Sequence, residues 1–253
     1  MKQFLTLAKW EYNGMLLPLL GIVGSMAALQ FILFRFALRR AEPHVPFSFL
    51  LGQANIWIVF ALAFVAVLVL VGLRLLMNFT PSKSIYALLT LPGARKRVYQ
   101  AKLAAAVLAM LVLVAVQLVL LPVLYEIKGW LGQEALSRGF PFTPRGADFY
   151  LTLLEDAVLR RFFPPTLFAR LVALVAIVGS VCLALYVAVA LKARRVKNAV
   201  IFTILWLGLL LVGTMPSNDG PFSATFFFAG MLLSAYTMGR LGVDLFESGE
   251  IAG

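Results

Sequence analysis

Charge is scarce in this chain: of 253 residues only 13% are charged, about half the share of an ordinary soluble domain, while 62% are hydrophobic. So large an apolar excess does not fit inside a water-soluble core. There is one histidine, His44, and it lies between two apolar stretches, which excludes His-pair metal sites, a His-Glu-x-x-His zinc motif and a Ser-His arrangement within a membrane. The one cysteine, Cys182, sits inside an apolar run and can form no intrachain disulfide, so cysteine usage does not reveal the redox compartment. No Gly-x-Ser-x-Gly nucleophile motif occurs and no acid falls at mid-span, which argues against an intramembrane hydrolase and against a proton-coupled or cation-coupled carrier. A Gly-x-x-x-x-Gly-Lys-Ser/Thr phosphate loop is also missing, so ATP is not bound in that way by this chain. No metal or cofactor set is expected in it.

What is present is a series of stretches apolar all round and about 20 residues long, the length that crosses a bilayer's hydrocarbon. Six are expected as spans, at about 15–36, 56–77, 103–125, 168–191, 198–213 and 224–241, the fifth being the shortest. The fold expected is therefore an all-α integral membrane protein forming a single transmembrane domain over residues 1–253. The first apolar run exceeds the h-region of a signal peptide and is read as a retained anchor.

The net charge of +11 comes from short basic clusters between apolar segments, a pattern that points away from nucleic acid. Residues 78–102 hold Lys83, Arg95, Lys96, Arg97 and Lys102 with no acid, and Lys192–Lys197 adds four more cations, again without an acid. Short cytoplasmic loops keep an excess of lysine and arginine, so both segments are expected in the cytoplasm, with both chain ends, in the cell's inner (plasma) membrane. The outer loop 126–166 balances five basic against five acidic residues. Arg35, Arg39 and Arg40, after the first span, run against this rule. Within the outer loop, Asp148–Phe163 can form a surface helix with Leu151, Leu154, Val158 and Phe162 on one face; a structured loop is the alternative.

Polar side chains inside the spans are few. Gln30 and Gln117 are the most interior, suited to hydrogen bonding between helices or to lining a pathway, and the first role is favoured. Arg74 and Arg170, at span ends, are expected to reach the interface as anchors. After the second span, Thr80 can cap a short helix, Pro81 suits its first turn, Ile85, Leu88 and Leu89 form an apolar patch at helical spacing, and Pro92 ends it. Such a patch either rests on headgroups or docks into a partner.

Residues Leu89–Leu103, with Leu91-Pro92, Arg95, Tyr99 and Lys102-Leu103 running into the third span, resemble the permeases of type-2 ATP-binding-cassette (ABC) exporters. The N-terminal segment is similar as well: Lys2–Tyr12 looks like an amphipathic elbow helix at about 2–13, with Phe4, Ala8 and Tyr12 aligned and Glu11 interrupting that face. The likeness covers residues 1–125 and departs from the family at Pro81-Ser82-Lys83-Ser84, where many members carry acids and a glycine. It implies that Ile85, Leu88, Leu89, Leu91, Pro92 and Arg95 form a cytoplasmic coupling helix and turn against a separate ATPase subunit, which holds the ATP and magnesium. A second permease half, identical or different, is implied too. The chain itself would then be no enzyme. A membrane scaffold or sensor subunit, or less plausibly a lipid-modifying enzyme, are the alternatives, and the cargo is not legible.

Overall fold

The computed structural model describes residues 2–41, 45–77, 94–136, 149, 152, 167–212 and 221–247. Among them are seven helices and no strand: α1 (Lys2–Arg40), α2 (Phe47–Gln53), α3 (Ile56–Met77), α4 (Ala94–Leu136), α5 (Leu167–Lys192), α6 (Val196–Val212) and α7 (Pro221–Glu247). Four stretches are long and apolar enough to cross a bilayer: Phe4–Arg40, Ile56–Met77, Lys96–Gly129 and Leu171–Lys192. The protein is thus an all-helical chain of membrane-spanning character, in which helices satisfy their backbone groups internally where water is absent.

Helix bounds follow the hydropathy reading closely for α3 and α5 and depart from it elsewhere. Residues 2–13 do not stand apart as an elbow: they form the start of α1, which runs unbroken for 39 residues. Pro18 lies inside this helix and offers no N–H to the carbonyl of Gly14, four residues earlier. That carbonyl instead accepts a hydrogen bond from Arg74 Nη2 of α3, which replaces the bond that the proline cannot make. α4 is likewise longer than its apolar stretch, at 43 residues, or about 65 Å at 1.5 Å per residue. α2 falls between the first two expected spans, where no helix is expected from the sequence. The short helices expected around Leu88 and at Asp148–Phe163 lie outside the described residues, apart from Phe149 and Thr152, and so does His44.

The chain divides into two compact units. The first comprises residues 1–18, 67–110 and 171–253, and its interior combines small side chains with a few large rings, among them Trp206, Tyr99 and Tyr186. Ala101, Ala105 and Ala109 recur every fourth residue on the buried face of α4, joined by Ala106, while Ala188 and Ala190 of α5 and Ala199 of α6 are buried as well. Small residues let helix backbones approach where no hydrophobic force drives helices together in lipid. Two glycines show how tight the approach is. A Cβ at Gly179 of α5 would collide with the indole of Trp206 of α6, and one at Gly242 of α7 would collide with the Tyr99 hydroxyl of α4. Trp206 is fully buried and donates its Nε1–H to Ser180 Oγ at 3.2 Å, while Ser180 donates to the Ala176 carbonyl at 2.7 Å. α6 and α7 pack on one another.

The second unit comprises residues 19–66 and 111–170, and its interior is aromatic. Phe47 of α2 is completely buried and meets Phe34 of α1, Tyr125 of α4 and Phe149 at centroid separations of 5.8, 5.2 and 6.3 Å. Tyr125 and Phe149 complete the group at 5.0 Å. The edge-on and tilted geometries are those that aromatic rings prefer. Leu50, Leu51, Ile56, Leu121 and Leu124 fill the space around them. α2 turns into α3 through Asn55, whose φ of 51° places it in the left-handed region that asparagine tolerates better than most side chains. Its N–H bonds the Gly52 carbonyl at 3.0 Å and its own carbonyl accepts the first bonds of α3, from Ile58 and Val59.

Candidate functional site

Besides the Trp206–Ser180 bond, two buried polar contacts stand out among the described residues, one in each unit. In the second unit, Gln30 of α1 and Gln117 of α4, 87 residues apart, are both buried and bond directly: Gln30 Nε2 donates to Gln117 Oε1 at 2.8 Å and to the Ile56 carbonyl at 3.4 Å. Gln30 Oε1 and Gln117 Nε2 have no partner among the described residues. The pair therefore links α1 to α4 while keeping one acceptor and one donor unused. Buried amides of this kind usually find partners, because each unmade bond in a dry interior costs free energy.

The first unit holds the site that residue patterns did not disclose. Glu11 of α1 and Lys102 of α4 form a salt bridge of 2.6 Å, with side chains only 13% and 5% exposed. Glu11, which interrupts the apolar face of residues 2–12, is thus the counter-ion of the one buried lysine among the described residues. Arg74 lies close enough for its charge to act on Lys102 and spends a guanidinium N–H on the Gly14 carbonyl. Three charged groups from α1, α3 and α4 thus gather with a net charge of one positive unit. An ion pair taken out of water binds its helices conditionally: together the two charges nearly cancel their desolvation cost, but either one alone is strongly unfavourable.

Tyr99 also belongs to this unit. Its ring packs on Phe246 of α7 at 5.8 Å, and its buried hydroxyl makes no hydrogen bond among the described residues. No group of His, Cys, Asp and Glu side chains able to hold a metal exists among the described residues.

Of the residues singled out from the sequence, Ile85, Leu88, Leu89, Leu91 and Pro92 lie outside the described residues, and Arg95 belongs to the first turn of α4. Gln30 and Gln117 are brought together. Glu11, Lys102 and the Pro18–Arg74 relation emerge only from the fold, since the Glu11–Lys102 contact spans 91 residues. A buried-pair search pairing the acid of one apolar helix with the lysine of another was the available signal. No family model, curated protein or solved structure matches the chain.

Proposed function

We propose that the chain is the membrane-spanning permease half of an ATP-driven ABC exporter, working with a separate ATPase subunit and a second permease half. The observation that carries this reading is the stretch Leu89–Leu103, whose Leu-Pro turn, basic residue and Lys-Leu pair run into α4 as they do in that family. The helix begins at Ala94, two residues after Pro92, and continues without a break through Lys102-Leu103, so a push on its first turn has a rigid path into the apolar region. Support comes from the sequence of residues 1–125 and from membrane-spanning character; the comparisons add none.

In this reading α6 and α7 complete a set of six spans, and residues 2–13 serve as the elbow while remaining part of α1. Whether four helices cross or six, an even number leaves both chain ends on one side, and the acid-free basic segments make that side the cytoplasm. The apolar patch of Ile85, Leu88 and Leu89 receives the ATPase, and ATP binding there shifts the permease between states through its different affinity for each.

The experiment pairs the purified chain with its ATPase. Alone it should hydrolyse no ATP; with the ATPase in vesicles, turnover and transport should appear. Leu88→Asp should release or uncouple the ATPase, because removing a buried leucine from a contact costs about 2–5 kcal/mol, whereas Ser84→Asp should change little. Full co-purification and transport by Leu88→Asp would withdraw the coupling role from this segment, and a chain that binds no ATPase would be a scaffold or sensor instead.

A further inference from the structure

The turn between α5 and α6 carries four exposed cations, Lys192, Arg194, Arg195 and Lys197, on a backbone that at one of them favours a different residue. α5 ends in a Schellman arrangement: the Arg195 N–H reaches the Ala190 carbonyl at 2.8 Å and the Arg194 N–H the Leu191 carbonyl at 3.2 Å. This places Arg194 at φ 56°, in the left-handed region, where glycine is the usual occupant because any Cβ is disfavoured there. The chain has 19 glycines but puts an arginine at this position. On either side stand Lys192 and Lys197, both exposed, and the side chains of Lys192, Arg194 and Lys197 make no hydrogen bond or ion pair among the described residues. No acid occurs in the sequence between Asp156 and Asp219, so nothing nearby along the chain neutralises them.

The neighbours of these cations are apolar and outward-facing. Leu191 on α5 and Val196, Val200 and Ile201 on α6 are each about half exposed, and Ile204 is 64% exposed. In a membrane protein such faces lie against acyl chains, so Lys192, Arg194 and Lys197 sit where an apolar surface gives way to a polar one, the level of lipid phosphates. Arginine presents a fork of N–H donors matched to phosphate oxygens, and lysine adds a point charge. We propose that the α5–α6 turn is a binding site for the headgroup of an anionic phospholipid, with Arg194 holding the phosphate and Lys192 and Lys197 flanking it. Arginine at a position shaped for glycine is then explained: its charge offsets its backbone strain once lipid is bound. This site rests on the membrane-spanning character of the chain alone and stands whether or not an ATPase is coupled to it.

The test uses the purified full-length chain in neutral detergent, with phosphatidylglycerol or phosphatidylcholine added, and reads retained lipid by native mass spectrometry and the melting temperature. The wild type should retain phosphatidylglycerol in preference to phosphatidylcholine and melt higher with it. Each of Arg194→Gly and Lys197→Gln should lower phosphatidylglycerol retention about fivefold, the equivalent of about 1 kcal/mol per cation at an anionic surface. Arg194→Gly should also melt no lower than wild type without lipid, since glycine relaxes the turn, which separates lost binding from lost folding. Lys9→Gln, an exposed cation on α1, should leave retention nearly unchanged. Equal loss in Lys9→Gln would reduce the effect to net charge, retention unaffected by both turn substitutions would remove the site, and an equal melting shift with inorganic phosphate would make it a phosphate site; each result overturns the proposal.

Discussion

The two compact units differ in what lies between their helices. In the first, alanines and glycines make room for rings such as Trp206 and Tyr99, and the buried polar contacts include an ion pair beside the Trp206–Ser180 bond. In the second, aromatic rings fill the space between helices, and the buried polar contact joins two neutral amides. Small-residue packing brings backbones close and leaves no room for added atoms, whereas a ring cluster fills a wider gap by interdigitation. The polar contacts differ in the same sense: a broken ion pair leaves a full charge in the interior, and a broken amide pair leaves only dipoles. The first unit should therefore respond sharply to single changes, and the second gradually.

The largest effect is expected at the ion pair. Lys102→Ala leaves the Glu11 carboxylate buried without its partner, which should cost about 3–5 kcal/mol, read as a drop in thermal stability of the detergent-purified protein. Glu11→Gln combined with Lys102→Met should recover most of that loss. Additive damage in the double variant would mean that the two charges act independently and would undo the contrast drawn between the units.

A smaller effect is expected where α7 crosses α4. Gly242→Ala drives a methyl group into the Tyr99 hydroxyl, and overpacking of this kind costs about 1–3 kcal/mol. Tyr99→Phe removes the obstructing oxygen, and because that hydroxyl makes no hydrogen bond among the described residues, the substitution alone should be close to neutral. The pair should thus be non-additive, with Tyr99→Phe relieving part of the cost of Gly242→Ala, since the ring carbon Cζ still lies 2.9 Å from the added Cβ. Absence of rescue in a double-mutant cycle would show that the glycine is required for a reason other than this contact.

The smallest effect belongs to the second unit. Gln30→Leu removes one member of the amide pair, and hydrogen bonds between membrane helices are worth about 0.6 kcal/mol on average and at most about 1.7. A loss as large as that of Lys102→Ala would place the amide pair beside the ion pair as a conditional contact and erase the difference in response.

How far the sequence anticipated these features depends on the range of the interaction. Hydropathy located α3 at Ile56–Met77 and α5 to within a residue, because lipid exposure demands a continuous apolar run irrespective of what the helix touches. The start of α1 reads as a separate elbow through its likeness to the family's amphipathic helix, with Phe4, Ala8 and Tyr12 aligned. The helix nevertheless runs on through Pro18, and the carbonyl left open at Gly14 is met by Arg74, 60 residues away, a partner that local pattern does not contain. α2 is a seven-residue helix whose buried Phe47, Leu50 and Leu51 make sense only against Phe34, Leu121 and Tyr125. Gln30 and Gln117 stood out as polar residues in apolar runs, yet their mutual bond did not, and Glu11 registered only as a blemish on an amphipathic face. Composition marks a residue as unusual; the fold supplies the partner that gives it a purpose.

The bond from Arg74 to the carbonyl that Pro18 leaves open makes the order of inherited changes matter. A lineage that replaces Pro18 with alanine restores the missing N–H within α1, after which Arg74 is free to vary. One that loses Arg74 first leaves the Gly14 carbonyl without the partner that replaces the missing N–H. The proline is thus a permissive step in one direction and a trap in the other, and the two positions are expected to change in that sequence across any set of descendants of this chain.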